Sequence, residues 1–271
     1  MRIARDLVAT CAATGLVLAA LVACGTDPAG VVASATADPG VQRLRIEVVS
    51  TRPHDTTAFT EGFEVDDGQL YESTGLEGRS TIQRSDLASG AVQARQGLAP
   101  DLFGEGVTLA GDRLWQLTWK SGIAISRDPQ SLAETGRVSY DGEGWGLCAQ
   151  PDRLVMSNGS STLTFRDRTT FAVQGTVDVT ASGAPLTSLN ELECTPDGQV
   201  WANVWQTNQI VRIDPGSGHV TAVVDASGLL TPQQAASADV LNGIAALPGT
   251  DTFLVTGKLW PTVFTVRFVP A

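Results

Sequence analysis

The chain has 271 residues, 42% of them apolar and 17% charged, enough for one large domain or two ordinary ones and too apolar for a disordered segment. A formal net charge of −11 excludes the basic footprint that nucleic-acid binding requires. With only two His, a His-based metal centre or a Ser-His-Asp triad has little material.

Arg2 and Arg5 precede a short apolar stretch, Gly15 to Ala23, too short to span a bilayer. It ends in Leu21-Val22-Ala23-Cys24, which has the form of a bacterial lipobox. Residues 1–23 therefore read as a lipoprotein signal peptide with Cys24 as the lipidated residue, an ordinary secretory signal being the alternative. Asp6 is a mild departure in the charged region. Residues 24–42, rich in Ala, Gly, Pro, Thr and Asp, read as a flexible tether. The domain, residues 43–271, is then expected outside the cytoplasm, either anchored by lipid to the cell membrane or secreted, and as a monomer.

From Arg43 onward strand signals dominate. Leu44 to Val48 alternates with period two. Five short motifs then open five strand patterns: Phe59-Thr60-Glu61-Gly62, Phe103-Gly104-Glu105-Gly106, Gly142-Glu143-Gly144-Trp145-Gly146, Leu189-Asn190-Glu191-Leu192-Glu193 and Leu241-Asn242-Gly243-Ile244. Each is followed by a turn and an apolar pair beginning at Leu70, Leu114, Leu154, Val200 or Leu254, a repeat of roughly 40–50 residues. Such a repeat of short strands predicts an all-β, five-bladed β-propeller in which the motifs meet at one channel. Asp66-Asp67-Gly68 and Pro196-Asp197-Gly198 supply inner turns, and Asp86 to Gly90 and Asp214 to Gly218 supply outer ones. Thr231 to Asp239 could form one short helix. Because Val263 to Phe268 follows the fifth hairpin and little chain remains, the strand near Arg43 to Ser50 is expected to complete the last blade.

Cys148 and Cys194 lie two residues after Gly146 and Leu192, and so take one register on adjacent blades. Outside the cytoplasm they could form a disulfide; two buried thiols are the alternative. Ser157 to Ser161 lacks the Lys and the strand-to-helix context of a phosphate loop and reads as a tight turn. His219 is expected to be exposed, and His54 is at least as well explained by structure as by catalysis. What remains for chemistry is an aromatic and polar set at repeat positions: Phe59, Phe103, Trp119, Trp145, Trp205 and Trp260, with Glu61, Glu105, Glu143, Glu191, Glu193, Asn190, Asn242 and Lys258. At a narrow channel mouth, burial would shift the carboxylates and the lysine, which suits general acid–base work.

These motifs resemble the plant-type glutaminyl-peptide cyclotransferases. The likeness is carried by Pro53 to Gly62, Leu70-Tyr71-Glu72-Ser73-Thr74-Gly75, Phe103 to Gly106, Gln116-Leu117-Thr118-Trp119-Lys120 and Gly142 to Leu147. It continues through Leu189 to Glu193, Ala202-Asn203-Val204-Trp205-Gln206, Leu241 to Ile244 and Val255 to Pro261, so it spans about residues 43–269. The resemblance implies a five-bladed propeller that converts the N-terminal glutamine of peptides or proteins to pyroglutamate, releases ammonia and needs no cofactor or metal. It implies Glu105 as the acid–base carboxylate, with Asn190 and Lys258 steadying the tetrahedral oxygen or assisting the leaving group. It implies Phe59, Phe103, Trp119, Trp145 and Trp205 as pocket walls. Where the family usually has Gln, this chain has Glu61, an added carboxylate that could attract a substrate ammonium, raise the pKa of Glu105 or weaken activity. A non-catalytic envelope propeller that binds peptides or a protein partner is the alternative, and a metal-dependent lactonase propeller a poorer third.

Overall fold

The computed structural model describes residues 40–271. The expected signal peptide, Cys24 and nearly all of the tether lie outside the described residues. The one expected helix is shorter than Thr231 to Asp239: α1 covers Pro232–Ala235, entered through a capping box in which Thr231 and Gln234 satisfy each other's backbone N–H. Apart from α1, the described residues build strands and turns.

The first strand, β1 (Gln42–Pro53), stands apart in sequence from the sheet it joins. Three four-stranded antiparallel sheets follow. The first holds β2 (Thr60–Asp66), β3 (Gln69–Thr74), β4 (Thr81–Asp86) and β5 (Val92–Gly97). The second holds β6 (Gly104–Ala110), β7 (Arg113–Thr118), β8 (Ile123–Arg127) and β9 (Glu134–Ser139). The third holds β10 (Leu147–Ala149), β11 (Leu154–Met156), β12 (Thr162–Arg166) and β13 (Val173–Asp178). A two-stranded ribbon, β14 (Thr180–Ala181) and β15 (Ala184–Pro185), comes next. An eight-stranded sheet takes the rest: β16 (Leu189–Cys194), β17 (Val200–Val204), β18 (Gln209–Ile213), β19 (Val220–Asp225), then β1, then β22 (Thr262–Pro270), β21 (Thr252–Gly257) and β20 (Leu241–Ala246). Here β1 lies antiparallel to β22 and parallel to β19, so the expected pairing of the two ends of the domain is present. Strand β1 begins at Gln42, one residue earlier than the sequence suggested.

The first strands of the sheets touch in order: β2 on β6, β6 on β10, β10 on β16, β16 on β20, and β20 back on β2. Apolar clusters fill the spaces between successive sheets. Tyr71 and Ile82 pack with Val107 and Leu114, Trp115 and Leu117 with Leu147 and Leu154, and Cys148 and Val155 with Leu192 and Ala202. Trp201 and Ile210 meet Ile244 and Val255, and Ala245 and Leu254 meet Phe63 and Val65, which closes the ring.

The ring is tight because glycines stand where its strands cross. A Cβ on Gly62 would lie 2.6 Å from the Val107 nitrogen, one on Gly106 2.6 Å from the Leu147 nitrogen, and one on Gly146 2.1 Å from the Asn190 oxygen. At the matching point of β16 the residue is Glu191, fully buried. Its carboxylate accepts from Ile244 N at 2.9 Å and Phe63 N at 3.2 Å, so one side chain ties β16 to both β20 and β2. Burial pushes its pKa well up, and the two N–H donors act against that. Glu191→Ala would leave two buried donors without partners. It is expected to cost about 2–5 kcal/mol, measured by urea unfolding; a loss below about 0.5 kcal/mol would refute this reading of Glu191.

Cys148 and Cys194 are joined as a disulfide, with Cα atoms 5.4 Å apart. They do not share one register: Cys148 faces Val155 while Cys194 faces Val200, although Leu154 and Val200 are the matching residues. The hairpin after β10 is one residue shorter than that after β16, so equal spacing in sequence does not give equal height in the ladder.

Candidate active site

Four of the five repeats deliver two positions to the same end of the ring. The first lies at a β-bulge. In the ladders Thr60 faces Thr74, Gly104 faces Thr118, Leu189 faces Val204 and Leu241 faces Gly257, and the register then slips. The residues at the slip are Glu61, Glu105, Asn190 and Asn242. A bulge re-aims a side chain out of the regular alternation, which here turns polar groups inward. The second position follows the partner strand: Gly75, Trp119, Trp205 and Lys258 come directly after Thr74, Thr118, Val204 and Gly257.

Six of these eight positions, all but Gly75 and Asn242, line a cavity of about 420 Å³. All nine residues expected there line it: Phe59, Glu61, Phe103, Glu105, Trp119, Trp145, Asn190, Trp205 and Lys258. Edge-on ring contacts hold the wall, with centroids 6.2 Å apart for Phe59 and Phe103 and 5.5 Å for Trp145 and Trp205. Gly75 makes room for Phe103, since a Cβ there would fall 2.2 Å from its ring. Ser157 to Ser161 is the expected turn and has a positioning role: Gly159 at φ 78° lies under the Trp145 indole, where a Cβ would come within 2.6 Å.

The floor is ionic. Lys258 Nζ donates to Glu61 Oε1 at 2.7 Å, with both side chains buried, and lies 4.6 Å from the Phe59 ring centre. Asn242 Nδ2 donates to Glu61 Oε2 at 3.3 Å and to the Thr60 carbonyl at 3.0 Å. Glu105 shares a hydrogen bond with Glu61, and its Oε2 is buried without a partner. Burial first, and then the Glu61 charge, hold the Glu105 carboxyl well above its usual range, against the pull of Lys258. Burial also raises Glu61, offset by Lys258 and by the hydrogen bond from Glu105. Two adjacent buried carboxyls do not both ionise, so the pair keeps a proton between them, held by preference on Glu105 while Glu61 pairs with Lys258. Of the three effects foreseen for Glu61, the raised pKa of Glu105 is the one the geometry supports. Glu61→Gln is expected to move Glu105 deprotonation to lower pH, read as earlier loss of the protonated-carboxyl infrared band; an unmoved band would contradict it. Asn190 also carries a buried amide oxygen without a partner.

Other residues of the set lie elsewhere. Glu143 is half exposed and holds two wall indoles, accepting from Trp119 Nε1 at 2.7 Å and Trp145 Nε1 at 3.0 Å. Glu191 belongs to the ring, and Glu193 is buried near Glu64, each carboxyl raised chiefly by burial. Trp260 donates to the Asp239 carbonyl at 2.8 Å. His54 bridges Glu72 and the Trp260 carbonyl, both at 2.9 Å, a structural role, and His219 is exposed. Among the described residues, no cluster of three or more His, Cys, Asp or Glu is arranged to hold a metal.

Four lining residues escaped the sequence reading: Leu76, Gln206, Asp239 and Val240. Leu76 and Gln206 follow the second repeat position in the left-handed conformation, at φ 85° and 63°. Aligning the repeats one residue further would have marked them. Asp239 and Val240 end the α1 segment, which has no counterpart between the other sheets.

The family model described as Glutamine cyclotransferase matches residues 17–268. The Glutaminyl-peptide cyclotransferase of Arabidopsis thaliana is 37% identical over 231 residues, which cover 83% of this chain and 72% of that protein. The crystal structure of Myxococcus xanthus Glutaminyl Cyclase superposes with a TM-score of 0.77 at 37% identity, covering 85% of this chain and 99% of the other. The β-propeller domain of Myceliophteria thermophila Cps50 (Swd1) reaches a TM-score of 0.50 at 9% identity, covering 82% and 99%, a likeness of fold alone.

Proposed function

Because the chain belongs to the glutamine cyclotransferase family, we propose that its cavity cyclises the N-terminal glutamine of peptides or proteins to pyroglutamate with release of ammonia. The observation that carries the mechanism is the Glu61–Glu105 pair, two adjacent buried carboxyls with the Glu105 Oε2 left without a partner. The α-amine must attack the side-chain amide carbon, lose a proton, and see the amide nitrogen leave as ammonia with one more.

The pair can do both. As the N–C bond forms, Glu105 Oε2 takes the proton from the attacking nitrogen while the shared proton moves onto Glu61. Glu105 then passes the captured proton to the leaving nitrogen, the C–N bond breaks, and the shared proton returns. One proton enters and one leaves, so no other acid or base is needed. Lys258 balances the charge of Glu61 before and after the transfer, and once Glu61 is protonated its cation is free for the oxygen of the tetrahedral intermediate, to which Asn190 also donates. The wall of Phe59, Phe103, Trp119, Trp145 and Trp205 folds the glutamine on itself and excludes water, and holding that conformer lowers the barrier of an intramolecular attack.

We read the architecture as five blades: three from the four-stranded sheets and two from the eight-stranded sheet, fused where β1 runs beside β19. The closed order of contacts among β2, β6, β10, β16 and β20 supports it. We further propose residues 1–23 as signal, Cys24 as lipid site, 24–42 as tether and 43–271 as a monomeric extracytoplasmic domain that reaches the membrane only through its anchor. The test is ammonia release from glutaminyl dipeptides with a matching loss of the free α-amine. Absence of turnover by the folded protein would refute the cyclotransferase reading.

A further inference from the structure

Beside the cavity runs a second depression of about 260 Å³, between the end of β17 and the segment that carries α1. Gln206, Asp239 and Val240 line both spaces, so the two share one lip. Beyond that lip Leu229, Leu230, Ala235, Ala238 and Trp260 form apolar walls, with the polar Thr207 and Asn208 beside the end of β17. The lip is fixed by backbone bonds to the catalytic lysine: Asp239 N donates to the Lys258 carbonyl at 2.9 Å, and Lys258 N donates to the Val240 carbonyl at 3.0 Å. The groove therefore stands ready-formed rather than needing to be opened by a ligand.

We propose that this groove receives the side chain of the residue that follows the N-terminal glutamine, and that it selects an apolar one. The inference rests on the cyclotransferase reading. Cyclisation uses the α-amine and the side-chain amide, which must both reach the Glu105 floor. The glutamine carbonyl, and with it the rest of the peptide, must then leave through the mouth. Another depression that meets the cavity shares Leu76 with it and carries the exposed Arg79 and Arg95, which do not suit an apolar side chain. An apolar second residue is thus directed over Gln206 and Asp239, where its side chain removes the surfaces of Leu229 and Leu230 from water. The volume suits one side chain and falls below the roughly 300–1,000 Å³ of a whole small-molecule site.

The experiment compares glutamine amide, Gln-Gly amide and Gln-Leu amide with the unaltered protein and with Ala235→Trp. Ala235 is exposed on α1, so the indole fills the groove without cutting into the core. The unaltered protein is expected to favour Gln-Leu over Gln-Gly by about tenfold in kcat/KM, and Ala235→Trp to bring that ratio to about one. Because the readout is a ratio, a general loss of active protein cancels. A ratio within twofold for the unaltered protein, or a preference that survives Ala235→Trp, overturns the proposal while turnover of glutamine amide upholds the cyclotransferase reading. No turnover of any of the three overturns both.

Discussion

Glu105→Gln is expected to lower kcat for a glutaminyl dipeptide by about 10²–10⁴-fold, with KM and fold retained. The substitution is isosteric and removes no charge at neutral pH, since burial and Glu61 already keep Glu105 protonated. What it removes is the oxygen that can accept a proton from one nitrogen and return it to another. The stability consequence has a definite sign. A buried acid with a raised pKa stabilises the fold fully at low pH and loses that contribution as pH rises through the folded pKa. Glu105→Gln should therefore melt close to the unaltered protein at pH 4, where the carboxyl is protonated folded or unfolded, and above it at pH 8. Turnover within tenfold of the unaltered protein would remove Glu105 from the acid–base role.

Lys258→Met should have the largest effect on stability. Breaking a buried pair by removing one partner costs about 3–5 kcal/mol, because the remaining charge has lost its counterion. Here that charge is Glu61, already raised by burial with Lys258 in place, and removing the cation raises it further. Protonation relieves the strain, so the loss in urea unfolding should be small at pH 5 and grow towards pH 8. A second substitution, Glu61→Gln, should recover much of it. Equal losses at both pH values would mean that Lys258 acts by packing against Phe59 rather than by charge. Activity should fall in Lys258→Met whatever the pH, since the oxygen of the intermediate loses its cation.

How much of this was legible in the chain depended on whether a repeat kept its usual residues. The bulge residues Glu61, Glu105 and Asn190 stood beside Gly, Phe or Leu in recognisable motifs, and all reached the cavity. The outer turns show the opposite. Asp86 to Gly90 and Asp214 to Gly218 were readable because Gly holds the left-handed position, at φ 72° and 75°. The same turn occurs at Asp128 and Asp167, where the side chain accepts from the backbone N–H of Ser131 and Thr170 at 2.7 Å. There the left-handed residues are Leu132 and Phe171, at φ 60° and 63°, and nothing in their type announces a turn. Both are buried, so packing between sheets offsets the backbone cost. Glu191 looked like a channel carboxylate because the motif around it did. Its real task arises from the ring closing, a contact among three strands that no local window contains.

The place of β1 bears on when this domain can finish folding. Residues 42–53 lie between β19 and β22, and the N–H of Ala271 donates to the Arg43 carbonyl at 3.1 Å. The seam thus joins the earliest and latest parts of the domain to be synthesised. Until β22 has emerged, β1 has neither neighbour complete, β19 and β22 each offer a bare edge, and the circle of sheets stays open. Closure is an event of maximal sequence separation, slow by its nature and impossible while the ribosome still holds the last strand. A domain built this way becomes a closed ring only after β22 is free to pair with β1.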